Sequence, residues 1–198
     1  MTTSGSPIDR VLAERTLAEA AQLQVFLDAH RAILRTSLDG LTENEVRARL
    51  VPSKTTLLGL IKHATFLQLV WYDEAITGTP RTRLGLPADA EDSFDVADSD
   101  TIESVLAGYD RACAAAREVS AWHDLDEVVT GHRLGAMTMR WVHLQVLREL
   151  AQHGGHADIL REQLDGAIGV AAGYPQRDAA FWAARCAQVE QAARRASG

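Results

Sequence analysis

The chain has 198 residues, of which 46% are hydrophobic and 24% charged, and its formal net charge is −7. These values are typical of one globular domain that is long enough to bury a substantial core. The negative charge and the lack of a basic tract argue against nucleic-acid binding, and no apolar run reaches the roughly 20 residues of a membrane span.

The first predicted element is one long helix over residues 8–38, where apolar side chains recur at helical spacing among many Ala, Leu, Glu and Arg residues. Asp39-Gly40 is expected to end this helix. Thr42 and Glu45 then have the spacing of a capping box, which predicts a short helical turn.

A second helix is predicted to begin at a cap formed by Ser53 or Thr55 and to run to about Thr77. Residues 79–99, which contain Gly, Pro and a run of acidic side chains, have no clear period and predict a long connection. The remaining predicted elements are a helix from Asp100 or Thr101 to about Trp122, a loop over 123–136, a helix from about Met137 to Leu164, and a last helix over about 178–195.

The predicted fold class is all-α. Val128-Val129-Thr130 is the one short strand candidate, and its pattern is weak. Four substantial amphipathic helices with a long connection between the second and third predict a helical bundle, with an extra C-terminal helix, that spans residues 1–198 as a single domain. The N-terminal residues lack the charged and apolar regions of a signal peptide, which predicts a cytoplasmic protein.

Three side chains on the fourth main helix could bind a metal ion. At about 100° per residue, one stripe roughly 80° wide contains six residues: Val142, Val146, Glu149, His153, His156 and Leu160. Because the stripe begins and ends with apolar residues, it is expected to face the core. An unpaired buried polar group costs about 1–3 kcal/mol, and one bound cation would partner all three polar groups.

The second helix offers a further ligand in His63, which lies on the same inward-facing side of that helix as apolar side chains at helical spacing. Two or three imidazoles with a carboxylate suit zinc or nickel, and three protein ligands leave a coordination position open. Each residue also has an ordinary explanation. His63 could be a hydrogen-bonded core histidine, and Glu149 could form a surface ion pair with Arg148 or Arg161.

Several segments together resemble one known family. In chain order they are Gly40-Leu-Thr42, the stretch from Pro52 to His63, Met139-Arg-Trp141, the stretch from Arg148 to Glu162, and Asp165-Gly166. This set is similar to the DinB-like metal-binding four-helix bundles, and specifically to an actinobacterial branch of unknown function close to the mycothiol S-transferases. The resemblance covers most of the chain.

The resemblance implies a divalent metal ion at one end of the bundle. By position, His63 matches the ligand on the second helix, and Glu149 and His153 match the pair on the fourth, as in mycothiol-dependent maleylpyruvate isomerases. His156 matches a histidine common in this branch, which would be a fourth ligand or a group beside the ligands. Gln68 departs from relatives that carry Glu there, which puts the polarity of the pocket in doubt.

The implied function is a metal-dependent thiol S-transferase that conjugates a low-molecular-weight thiol, such as mycothiol or bacillithiol, to an electrophile through a metal-bound thiolate. Zinc is the first expected cofactor and nickel the second. No residue is assigned as a general base. The alternatives are a non-catalytic metal-binding or stress-associated bundle, and a metal-dependent hydrolase in which Glu149 activates water. The expected partners are the thiol and the electrophile, and neither nucleic acid nor a membrane is expected to bind. A homodimer is a further expectation.

Overall fold

A computed structural model describes residues 6–169 and 177–196. Its helices are α1 (Pro7–Ala13), α2 (Glu19–Thr36), α3 (Glu43–Val46), α4 (Leu57–Leu69), α5 (Ala75–Thr77), α6 (Ile102–Ala121), α7 (Met139–Asp165) and α8 (Ala179–Ala196). A π-helical turn, Val70–Glu74, joins α4 to α5, and Ala90–Phe94 forms a 3-10 helix. Two short strands, β1 (Val128–Val129) and β2 (Met137–Thr138), pair antiparallel. The all-α prediction is confirmed.

Four helices form the bundle. α2 packs against α7 and α6, and α4 packs against the same two helices, so that the four surround one core. Buried aliphatic side chains from all the long elements fill it, among them Leu27, Leu34, Leu58, Leu60, Val105, Val146 and Leu150. In the described part of the chain, no helix has the length and apolar character needed to cross a bilayer.

The single helix predicted over residues 8–38 is wrong, because the chain turns at residues 14–18 between α1 and α2. The Arg15 guanidinium donates to the Leu12 carbonyl at the end of α1, and the Gln22 amide of α2 donates to the Arg15 carbonyl. α1 folds back onto α2. Tertiary packing therefore overrides a local sequence that favours helix and lacks Gly or Pro to mark the turn.

The capping box of Thr42 and Glu45 is confirmed at the start of α3. The predicted cap of the second helix is wrong, because Thr56 takes that place and its hydroxyl accepts from the Gly59 backbone N–H at 3.0 Å. Ser53 and Thr55 instead hydrogen-bond to each other in the preceding loop. The cap position is set by the residue at which the backbone turns helical, and neighbouring hydroxyls cannot be distinguished by residue type.

The other boundaries shift by short distances. Thr101, one of the two predicted starts, caps α6. The fourth helix begins at Met139 rather than Met137, because β2 pairs with β1 and the Thr138 hydroxyl then caps α7. The loop predicted over 123–136 thus contains the weak strand candidate as one arm of a small hairpin.

The long connection over 79–99 contains the 3-10 helix Ala90–Phe94, which lies directly on α4. Gly59 permits this approach, since a Cβ there would lie 2.7 Å from the Phe94 carbonyl oxygen. Real Cβ atoms do not come so close to a backbone oxygen. The approach brings Ser93 and Phe94 over one turn of α4, next to His63.

Candidate metal centre

Three side chains from two helices that are far apart in sequence converge between α4 and α7. His63 projects from α4, and Glu149 and His153 project from adjacent turns of α7, where an i, i+4 pair lies on one face. One candidate ligand atom from each residue lies within 4.8 Å of the other two. We refer to His63, Glu149 and His153 as the His-Glu-His cluster.

His63 is held on two sides. Its ring stacks on Phe94, with centroids 4.1 Å apart and an interplanar angle of 13°, and it meets the His153 ring edge-on at 4.6 Å. Its Nδ1 atom lies 2.7 Å from the Ser93 hydroxyl oxygen. Burial, and then the neighbouring His153, lowers the pKa of His63 to about 4. The ring is therefore neutral at neutral pH, which is the form that binds a metal ion.

Glu149 is half-buried and has two differently occupied oxygens. Its Oε1 accepts a hydrogen bond from the Gln145 amide at 3.0 Å and another from the Arg148 guanidinium. Its Oε2 faces the His153 ring, 3.6 Å from Nε2. The pKa of Glu149 is lowered chiefly by His153 and also by Arg148, against the effect of burial. The carboxylate is thus ionised. Gln145 and Arg148 hold its Oε1, and its Oε2 is directed toward His153.

His153 is buried, and neither of its nitrogens is in a short hydrogen bond in the described structure. Nδ1 has no partner there, and the 3.6 Å from Nε2 to Glu149 exceeds ordinary hydrogen-bond length. An orphaned buried nitrogen costs about 1–3 kcal/mol unless a partner is supplied. The cluster offers two imidazoles and one carboxylate, and the His153 imidazole has an unpartnered buried nitrogen in the described structure. This set of ligands fits a divalent ion such as zinc or nickel.

The fourth predicted ligand, His156, lies outside the cluster. It is exposed, and its ring centroid is 5.5 Å from that of His153. The prediction that the whole stripe faces the core is wrong at this position. α7 also buries Met139, His143, Leu150 and Ala157, which lie about 60–100° round the helix from the stripe's centre on the side away from His156. The buried face of α7 is therefore rotated, relative to the predicted stripe, away from His156.

Gln68 is placed in the core rather than in the cluster. Its Oε1 accepts two hydrogen bonds from the buried Arg31 guanidinium, at 2.8 and 3.2 Å, and Arg31 also pairs with Asp28. Gln68, which was expected to affect the polarity of the pocket, therefore contacts α2. Its amide nitrogen is buried and has no hydrogen-bond partner in the described residues.

Two cavities border residues next to the cluster. One of about 800 Å³ lies between α4, α6 and the 79–99 connection, and Ser93 and Phe66 are among its lining residues. The other, of about 280 Å³, lies against His156, and the rest of its lining is mostly small or apolar: Val51, Ser53, Thr55, Ile159 and Leu160. Each cavity is thus lined by a residue that contacts a member of the cluster, Ser93 or Phe66 beside His63 in the first and His156 beside His153 in the second.

No sequence pattern had indicated that Ser93 and Phe94 lie near the cluster. Both lie in an acidic connection without periodicity, so nothing in their spacing relates them to His63. A serine within such a run is typical of a solvated loop, whereas Ser93 is 6% exposed. Only the packing of the 3-10 helix on α4 brings them to the cluster.

The remaining buried histidine of α7 is His143, and its burial predicts a pH-dependent loss of stability. Its Nδ1 lies 2.9 Å from the Tyr72 hydroxyl, and burial, followed by the nearby Arg31, lowers its pKa from 6.5 to about 4. Between these values the unfolded chain holds more protons than the folded one, so acidification favours unfolding. We expect His143 to remove up to roughly 3 kcal/mol from the free energy of unfolding as pH falls from 6.5 to 4.

Urea denaturation of the metal-free protein at several pH values measures this effect. The Gln side chain of His143→Gln does not titrate between pH 4 and 6.5. In this range we expect the free energy of unfolding of the variant to change less with pH than that of the wild type. The same pH dependence of the free energy of unfolding in the two proteins would contradict the prediction.

The chain is similar to a known protein family. The model described as mycothiol-S-transferase matches residues 22–166, which is more than half of the chain and includes the His-Glu-His cluster and Ser93. No curated protein matches the chain.

Proposed function

This chain belongs to the mycothiol S-transferase family, and from that premise we propose that it joins a low-molecular-weight thiol to an electrophile at a divalent metal ion. The observation that supports this most is the convergence of His63, Glu149 and His153 within 4.8 Å from two helices. A thiol of the mycothiol type is the co-substrate that the family membership favours.

The cluster residues have distinct tasks in this proposal. A bound divalent cation lowers the pKa of a coordinated thiol, so that the reactive thiolate exists at neutral pH. His63 and His153 offer neutral imidazole nitrogens, and Glu149 adds one negative charge that offsets part of the charge of the ion. Three protein ligands are the number found in sites that keep a position open for a substrate.

The chemical change is a single substitution or addition at an electrophilic carbon, with the thiol sulfur as the nucleophile. A bond forms between the thiol sulfur and an electrophilic carbon, and the thiol proton is released. When the electrophile carries a leaving group, that group departs with its bonding electron pair. When the thiol instead adds across a double bond, the electron pair of the broken π bond takes up a proton from water. No side chain is assigned to accept the proton, which passes to water.

The apolar cavity of about 280 Å³ beside His156 is the place we propose for the body of the electrophile. Its apolar lining favours a hydrophobic substituent, because burial of apolar surface contributes about 25 cal/mol per Å².

Metal analysis and a conjugation assay test the proposal together. We expect protein purified without a metal-affinity step to contain close to one equivalent of divalent metal, zinc first and nickel second. With 1-chloro-2,4-dinitrobenzene as electrophile, we expect mycothiol to give the S-conjugate and chloride faster than bacillithiol, glutathione or cysteine does.

Two results would contradict the proposal. Less than about a tenth of an equivalent of metal, not restored by added zinc or nickel, would remove the metal centre, since a site with these ligands is expected to bind either ion. Stoichiometric metal with no conjugation by any thiol and several electrophiles would favour a non-catalytic metal-binding bundle.

A further inference from the structure

The contact between Ser93 and His63 determines which ring nitrogen of His63 carries a proton. The Ser93 hydroxyl oxygen lies 2.7 Å from His63 Nδ1 and also hydrogen-bonds to the Ala90 carbonyl oxygen. A carbonyl oxygen can only accept, so the single hydroxyl proton of Ser93 is donated to Ala90. The hydroxyl oxygen is then free to accept, and Nδ1 of His63 must be the donor.

This proton count fixes the neutral ring in one tautomer. With the proton on Nδ1, the lone pair of the ring is on Nε2, and Nε2 becomes the nitrogen available to a metal ion. Metal-binding histidines commonly donate their second N–H to a carboxylate, carbonyl or water, which orients the ring and raises its basicity. Here a serine hydroxyl occupies that place.

The 3-10 helix restrains the ring in a second way. Phe94, the next residue after Ser93, stacks on the His63 ring at 4.1 Å, and Gly59 allows both residues to approach α4. The hydrogen bond fixes rotation within the plane of the ring, and the stacked ring fixes the plane. The two contacts together hold His63 in one orientation before any ion binds.

We propose that Ser93 is a positioning residue, which accepts the Nδ1 proton of His63 and thereby presents Nε2 to the metal ion. The metal part of this inference rests on the proposed function. The tautomer part concerns the metal-free protein and can be tested without an ion or a substrate.

Nitrogen NMR of the metal-free wild-type protein at neutral pH tests the tautomer directly. In a long-range proton–nitrogen spectrum, protonated and unprotonated ring nitrogens have well-separated shifts. We expect His63, assigned by its loss in His63→Gln, to show a protonated Nδ1 and an unprotonated Nε2. A proton on Nε2 in the wild type would overturn the proposal, whatever the metal content.

Substitutions then test whether Ser93 is the cause. Ser93→Ala is expected to show a mixture of tautomers in the metal-free protein and to bind zinc about 10–100-fold more weakly in competition with a chelator. Ser93→Thr keeps the hydroxyl and is expected to restore the wild-type tautomer and a zinc affinity within roughly threefold of wild type. Ser120→Ala is the matched control, because Ser120 is also buried and donates to a backbone carbonyl, that of Ala116, away from the cluster.

The two readouts separate this inference from the proposed function. Wild-type tautomer and zinc affinity in a folded Ser93→Ala would overturn the role of Ser93. If Ser93→Ala does not fold, the wild-type spectrum and Ser93→Thr still decide it, and a mixed tautomer in Ser93→Thr would count against the proposal. Absence of zinc binding in the wild type would overturn the proposed function, while the NMR result would still decide the tautomer.

Discussion

His153→Ala is expected to abolish stoichiometric metal binding and thiol conjugation while leaving the helices in place. His153 is buried and contacts both other members of the cluster, His63 by its ring and Glu149 through the i, i+4 pair. Loss of a residue that merely supports a ligand costs about 10–100-fold in metal affinity, so loss of a ligand should cost more than about 100-fold.

The fold should survive this change because its core is apolar and extensive. In a zinc finger, metal binding supplies the free energy of folding, whereas a bundle with this core has an independent source of stability. The measurements are elemental analysis, chelator competition and far-ultraviolet circular dichroism. Metal retention at the wild-type level, or loss of most helical signal, would contradict the prediction.

His156→Ala, measured in parallel, tests the number of ligands. Since His156 is exposed and outside the cluster, we expect its removal to leave close to one equivalent of metal bound. A loss as large as that in His153→Ala would instead make His156 a fourth ligand. A site with four protein ligands and no open position would be structural rather than catalytic.

Glu149→Gln is expected to weaken metal binding by at least about 10–100-fold and to remove most of the conjugation activity. The amide has nearly the shape of the carboxylate but lacks its charge, and the two imidazoles of the cluster contribute no negative charge of their own. Glu162→Gln is a matched control, because Glu162 is exposed on the same helix and the change in net charge is the same. We expect the control to match the wild type.

The same pair of variants separates the transferase from the hydrolase alternative. If Glu149 activates water without binding the ion, Glu149→Gln should keep its metal and lose ester hydrolysis. If Glu149 is a ligand, the variant should lose metal and conjugation together. Full metal retention in Glu149→Gln would therefore count against the proposed function.

Several elements could be predicted because their determinants are local. The box of Thr42 and Glu45 was recognisable from a spacing of three residues, and the long helices from the period of their apolar side chains. Glu149 and His153 share a helix face because they are four residues apart. These patterns depend on backbone geometry within one element and need no knowledge of its neighbours.

The first helix shows where this reasoning fails. Residues 8–38 contain helix-favouring side chains throughout, yet the chain reverses at residues 14–18 so that α1 can pack against α2. Likewise, the stripe on α7 was predicted to include His156, but the buried face is rotated. The reversal at residues 14–18 and the buried face of α7 both depend on which helix surfaces the neighbouring helices cover. A stripe of apolar residues about 80° wide does not by itself show which side of the helix faces those neighbours.

The period of the apolar side chains was enough to predict a helical bundle, and His63, Glu149, His153 and His156 were predicted as metal-capable residues on inward-facing helices. It is the packing of α4 against α7 that brings His63, Glu149 and His153 within 4.8 Å of one another and leaves His156 exposed, and it is the 3-10 helix on α4 that lets Ser93 hydrogen-bond to His63. The physical reason is that helical periodicity is a property of consecutive residues. A metal centre and its supporting hydrogen bonds instead depend on how separate elements pack, which here includes the close approach permitted at Gly59.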